Sequence, residues 1–150
     1  MLEKEYVKKV KLLNIITNSS PFGGAQKVLF DNVIRNPFNN IVITGNEGIL
    51  TKKLKEHKVD VRIMKNLKRN FSIYDIYVFF KLALIIKNEK FDFVISHSSK
   101  VGVIARLACF ITNTKNAFVV HGWSFSNDSS KIAFYLFLYI EKMMKYFTNH

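Results

Sequence analysis

Five short apolar runs, each followed by a stretch with helical spacing, constrain this chain more than any other feature. The runs are Val10 to Thr17, Ile41 to Thr44, Val59 to Met64, Phe91 to His97 and Ala117 to His121. Helices are predicted over Gly24 to Arg35, Ile49 to His57, Ser72 to Asn88 and Lys100 to Ile111, with a last one after the polar loop Gly122 to Ser130. Several runs are apolar on both faces, as strands are when both sides of their sheet are covered. The expected fold is therefore α/β: a Rossmann-like, doubly wound parallel sheet of about five strands with helices on both faces. Such sheets bind ligands outside the carboxyl ends of their strands. That rule gathers Ser19 to Gly24, Gly45 to Gly48, Lys65 to Asn70, His97 to Lys100 and His121 to Phe125 onto one rim.

The first rim segment, Ser19-Ser20-Pro21-Phe22-Gly23-Gly24-Ala25-Gln26, lies between a strand and a helix. Pro21 stops the strand, and Gly23 and Gly24 lack the Cβ atoms that would block close contact or positive φ angles. The helix that follows points unpaired N–H groups and the positive end of its dipole at whatever enters, which suits an anion. Taken alone, a Gly-Gly pair before a helix is more often a tight turn. The spacing is not G-x-G-x-x-G, and no Lys-Ser or Lys-Thr follows to make a nucleoside-triphosphate loop.

A chain of 150 residues, 49% of them hydrophobic, has the size and composition of one folded domain. Its single cysteine, Cys109, falls in an apolar helical stretch and reads as a packed thiol in a reducing compartment. The N-terminus is charged and lacks the apolar core of a secretion signal, so a cytoplasmic location is expected. The net charge of +12 suits nucleic acid, an anionic membrane surface or a phosphorylated substrate. Zinc-finger spacing, RNP-type aromatics and basic heptad regions are all missing, so no nucleic-acid partner is expected, and no metal site either. A membrane face fits better. The apolar stretches Ile73 to Ile86 and Ile132 to Ile140 fall short of the roughly 20 residues that span a bilayer. Ordinary core helices are the favoured reading for both, ahead of helices that rest an aromatic side on lipid.

Three rim segments together resemble the family 4 glycosyltransferases. Thr17-Asn18-Ser19-Ser20-Pro21-Phe22-Gly23-Gly24-Ala25-Gln26-Lys27-Val28-Leu29 is similar to that family's opening glycine loop. His97-Ser98-Ser99-Lys100-Val101-Gly102 with Ala105-Arg106-Leu107-Ala108, then Val119-Val120-His121-Gly122-Trp123-Ser124-Phe125, resemble its next two signatures in order. The resemblance covers nearly the whole chain and implies the N-terminal, acceptor-side half of a GT-B fold. The family transfers sugar from a nucleotide-diphosphate sugar with retention, and needs no other cofactor. The members closest in flavour build bacterial surface polysaccharides. The donor-binding domain, with its Glu-x7-Glu signature, is not in this sequence and would have to come from elsewhere, for example from a separate chain.

By resemblance, Gly23 and Gly24 stand beside the donor diphosphate or the reacting oxygen, and His121 contacts the donor sugar near the reacting carbon. The catalytic candidates are therefore His121 and Gly24. The substrate-binding candidates are Gly23, Gly24, His97, Ser99, Lys100, Gly122, Trp123, Lys68 and Arg69. His97 can instead be a residue that only bonds the neighbouring loop, Lys100 a solvated charge, and Lys68 and Arg69 a solvated loop. Gln26 departs from the family, where glutamate is common, which puts a polar role there in doubt. The expected acceptor is a glycan or polyprenyl-linked molecule reached at the inner membrane face. Two rival readings are a non-catalytic half or inactive fragment of a split enzyme and, more distantly, a flavodoxin-like or receiver-like regulatory domain.

Overall fold

The computed structural model describes residues 10–121 and 131–148. Its elements are β1 (Lys11–Ile16), α1 (Gly24–Arg35), β2 (Asn39–Thr44), α2 (Ile49–Glu56), β3 (Asp60–Ile63), α3 (Tyr74–Glu89), β4 (Phe93–Ser96), α4 (Ser99–Thr112), β5 (Lys115–Phe118) and α5 (Lys131–Met144), with a closing 3-10 turn, Lys145–Phe147. All pairings are parallel, and the strands of the 5-stranded sheet lie in the order β3-β2-β1-β4-β5. This is the doubly wound arrangement anticipated from the strand–helix alternation. The order reverses between β1 and β4, so the crevice at their carboxyl ends is the topological switch point.

The period-2 alternation of the strands divides the core between two faces. Leu13 and Ile15 of β1 and Ile41 and Ile43 of β2 pack with Val78, Leu82 and Ile86 of α3 and with Val101, Ala105 and Ala108 of α4. Ile16 and Val42 point the other way, against Leu29 and Val33 of α1 and Leu50 and Leu54 of α2. Cys109 is buried in the first cluster, and burial pushes its thiol up to about 12, as befits a packing residue.

One expectation about local structure is corrected. The fifth strand is Lys115–Phe118 rather than Ala117 to His121, because its register is set by β4, where Phe93 faces Lys115 and Ser96 faces Phe118. β4 ends there, so one further bond from the Val119 N–H to the Ser96 carbonyl closes the ladder and leaves His121 in the loop beyond. Ser72 lies one residue before Ile73, the N-cap of α3: its Oγ accepts from the Tyr74 N–H at 3.2 Å, while its own N–H donates to Asp75 Oδ2 at 2.9 Å. Ser98 occupies the N-cap of α4, but its hydroxyl makes no cap bond.

The third helix is not simply a core helix. Val78, Leu82, Ala83 and Ile86 are buried, yet Ile73, Ile76, Tyr77, Phe80 and Leu84 are exposed along another face. Among the described residues no helix is long and apolar enough to cross a membrane. α5 is tied to α4 through charge: the buried guanidinium of Arg106 meets Glu141 in a bidentate pair at 3.0 and 3.1 Å.

Candidate functional site

The glycine loop is built onto the sheet by its neighbours. Ser19 is fully buried, with its Oγ against Thr44 Oγ1 at 3.1 Å and donating to the Asn46 carbonyl at 2.5 Å. Its N–H reaches Asn46 Oδ1 at 2.9 Å, and its carbonyl accepts from the Leu50 N–H. Ser20 Oγ accepts from the Ile49 N–H at 3.1 Å, so the loops after β1 and β2 brace one another. Gln26 closes the turn from inside α1. Its Oε1 accepts from the Gly23 N–H at 3.2 Å and its Nε2 donates to the Asn18 carbonyl at 3.0 Å. The second bond requires an amide rather than a carboxylate, which resolves the doubt about a polar role for this residue.

The described glycines divide into two kinds. A Cβ on Gly45 would collide with the backbone oxygens of Leu67 and Thr17, one on Gly48 with Ser19 and Ser20, and one on Gly102 would lie 2.9 Å from the Phe118 ring. Those three are glycines because the fold leaves no room. Gly24 has nothing within 4 Å of such a Cβ, and Gly23 only Gln26 Oε1 at 3.5 Å. Neither has a positive φ, so the anticipated need for that conformation does not apply. Both are exposed, and the N–H groups of Gly24, Ala25 and Gln26 find no acceptor among the described residues. Glycine here leaves an approachable helix N-terminus, which can accept a phosphate or another oxyanion.

At the switch point the structure brings His97 and His121 together. Their rings lie nearly parallel and edge to edge, with centroids 5.3 Å apart and an 18° interplanar angle, and His97 Nδ1 lies 3.0 Å from His121 Nε2. His97 is 1% exposed and follows β4, held by its N–H on the Ile15 carbonyl. Burial, helped by the charge of His121, lowers its pKa to about 3; burial also lowers that of His121. Both rings are therefore neutral near pH 7.

A pH dependence of stability follows. Unfolded His97 takes up its proton near pH 6.5 and folded His97 only near 3, so between these values the unfolded state binds more protons and stability falls as pH falls. Above pH 7 this residue contributes no slope. Denaturant titrations should show the wild type losing on the order of 1 to 2 kcal/mol more than a His97→Gln variant between pH 6.5 and 5. Parallel curves would contradict a neutral buried imidazole.

The remaining candidates fall in different settings. Lys100 is neither solvated nor presented to solvent: it is 5% exposed, its Nζ sits 2.5 Å from Asp75 Oδ1, and it donates to the Asn70 carbonyl at 2.5 Å. Its charge is committed to joining α4, the start of α3 and the basic loop. Ser99 opens α4 beside it. Lys68 and Arg69 are exposed on that basic loop, whose Leu67 is buried beneath them. Gly122 and Trp123 lie outside the described residues. A cavity of about 370 Å³ lies elsewhere, lined by Val33, Asn39, His57 and Asp60 at the opposite, amino ends of β2 and β3. Sequence reasoning missed Asn14 and Asn40, buried polar residues of β1 and β2 that lie behind His97. The signal for Asn14 was a lone amide inside Leu-Leu-Asn-Ile-Ile.

Fold and rim together define a Rossmann-like domain of the kind from which GT-B enzymes are assembled. The chain is 30% identical over 142 residues to the O-antigen biosynthesis glycosyltransferase WbnH of Escherichia coli, covering 93% of this chain and 40% of that protein. It thus spans well under half the length of this curated relative. Among solved structures it superposes on HepE of Anabaena, crystallised with UDP and glucose, with TM-score 0.67 and 18% identity over 89% of this chain and 36% of that one. MurG of Acinetobacter baumannii follows the same fold with TM-score 0.58 and 11% identity, over 94% of this chain and 40% of its own. No family model matches the sequence. The chain is related to glycosyltransferases of O-antigen biosynthesis and shares the fold of the two solved structures.

Proposed function

We propose that the chain is the acceptor-side domain of a family 4-like, retaining glycosyltransferase of bacterial surface-polysaccharide synthesis. The observation that carries this reading is the 30% identity to WbnH, over a match that spans 93% of this chain rather than one motif. In this reading the donor is a nucleotide-diphosphate sugar, in keeping with the UDP in the HepE crystal. The open N–H groups at Gly24 stabilise the negative charge that grows on the leaving phosphate or the reacting oxygen. His121 contacts the donor sugar, and Lys68 and Arg69 meet a phosphate-bearing acceptor. A donor-binding domain completes the cleft. The test is sugar transfer by a hybrid in which this chain replaces the matching segment of WbnH. Nucleotide release that depends on acceptor supports the reading; a folded hybrid without it overturns it.

The acceptor side is proposed to work at the inner membrane face. Ile73, Ile76, Tyr77, Phe80 and Leu84 form an exposed apolar stripe on α3, with Lys68 and Arg69 before it and Lys87 and Lys90 at its end, on a chain of net charge +12. Sedimentation should show binding to anionic vesicles that weakens several-fold between low and physiological salt. Equal binding to neutral and anionic vesicles at low salt would remove the electrostatic part.

A further inference from the structure

We propose that a hydrogen-bond relay from Asn40 on β2 through Asn14 on β1 to His97 sets the tautomer of His121, leaving His121 Nδ1 as a hydrogen-bond acceptor for a ligand hydroxyl. The functional consequence rests on the glycosyltransferase reading; the relay itself does not.

The direction of each bond follows from the one before. Asn40 Nδ2 faces three acceptors, Asn36 Oδ1 at 2.6 Å, the Phe38 carbonyl at 3.1 Å and the Val33 carbonyl at 3.5 Å. Two of these are backbone oxygens that can only accept, so the amide cannot turn over without losing them. Asn40 Oδ1 is thereby aimed at Asn14, whose Nδ2 donates to it at 3.1 Å. Asn14 Oδ1 then faces His97 Nε2 at 3.4 Å and accepts from it. A neutral His97 with its proton on Nε2 has a lone pair on Nδ1, and the atom 3.0 Å from that lone pair is His121 Nε2. His121 must donate there. Its other nitrogen, Nδ1, then carries a lone pair and has no partner among the described residues.

Asn14, Asn40 and His97 are 2%, 8% and 1% exposed, so water does not compete for these bonds and an unmade one is costly. The relay spans neighbouring strands because the sheet order sets β2, β1 and β4 side by side. It makes His97, Asn14 and Asn40 positioning residues for His121. It also selects the ligand atom: a neutral Nδ1 acceptor suits a sugar hydroxyl and repels a phosphate oxygen, leaving the anion to the glycine loop.

The test is long-range ¹H–¹⁵N correlation of the histidine side chains in the full 150-residue chain, without ligand, near pH 7.5. The expected result is a proton on Nε2 of both His97 and His121, with scalar coupling from His121 Nε2 to His97 Nδ1 across the N–H···N bond. A proton on His97 Nδ1, or absence of that coupling, overturns the proposal. Asn14→Leu removes the acceptor and is expected to abolish the coupling and release His121 to a mixture of tautomers. Asn40→Ala, which leaves Asn14 and both rings in place, should weaken the coupling in the same direction if Asn14→Leu does not fold. Unchanged coupling in a folded variant overturns the positioning role. Loss of transfer in the WbnH hybrid with the wild-type coupling intact would count against the proposed function and not against the relay.

Discussion

Exchange of Glu141 for alanine is expected to destabilise the folded chain by about 3 kcal/mol, read as a shift of the denaturant midpoint. The reason lies with its partner. Arg106 is 3% exposed, and without Glu141 its guanidinium keeps, among the described residues, only the Gly102 carbonyl on Nε at 2.9 Å and Thr148 Oγ1 at 3.4 Å. An always-charged group left buried and half-satisfied costs more than the net worth of the pair. The companion result separates that mechanism from simple loss of packing. Arg106→Met in the Glu141→Ala background should recover most of the loss, since Met can pack against the Phe118 ring that the guanidinium now covers at 4.8 Å. A double variant as unstable as the single one would assign the effect to helix packing instead.

Alanine at position 24 is expected to do the reverse, leaving stability intact while removing activity. A methyl group there meets nothing within 4 Å and the backbone needs no positive φ. Gly-to-Ala at such a helical site is neutral or stabilising by up to about 1 kcal/mol. A helical Cβ tilts toward the N-terminus, the direction in which the open N–H groups of that first turn point. If these face the diphosphate or the reacting oxygen, a displacement of about 1 Å is enough to reduce transfer on the order of 100-fold. Alanine at position 45 supplies the contrast, because it must displace the backbone at Leu67 and Thr17 and should lose stability outright.

These two kinds of glycine mark the boundary of what was legible in the sequence. Periodicity revealed the five strands and their helices because burial on two faces imposes it locally, and the rim followed from strand polarity alone. The fifth strand was placed late because Val119 and Val120 are apolar, whereas the ladder obeys the length of β4 and pairs Lys115 and Asn116 instead. Lys100 reads as a solvated charge until α3 supplies Asp75 and the basic loop supplies the Asn70 carbonyl. Asn14 stands out within an apolar run, but its partners Asn40 and His97 become neighbours only through the order of the sheet. What surrounds a glycine is a three-dimensional property, so Gly24 and Gly45 look alike in one dimension.

The most direct measurement is acceptor-dependent nucleotide release by the WbnH hybrid and by its Gly24→Ala variant, with melting temperatures taken on the same samples. Equal or slightly higher melting is expected for the variant, with transfer lower on the order of 100-fold. Equal transfer rates at equal stability would contradict the claim that the loop at Gly23 and Gly24 faces the reacting groups.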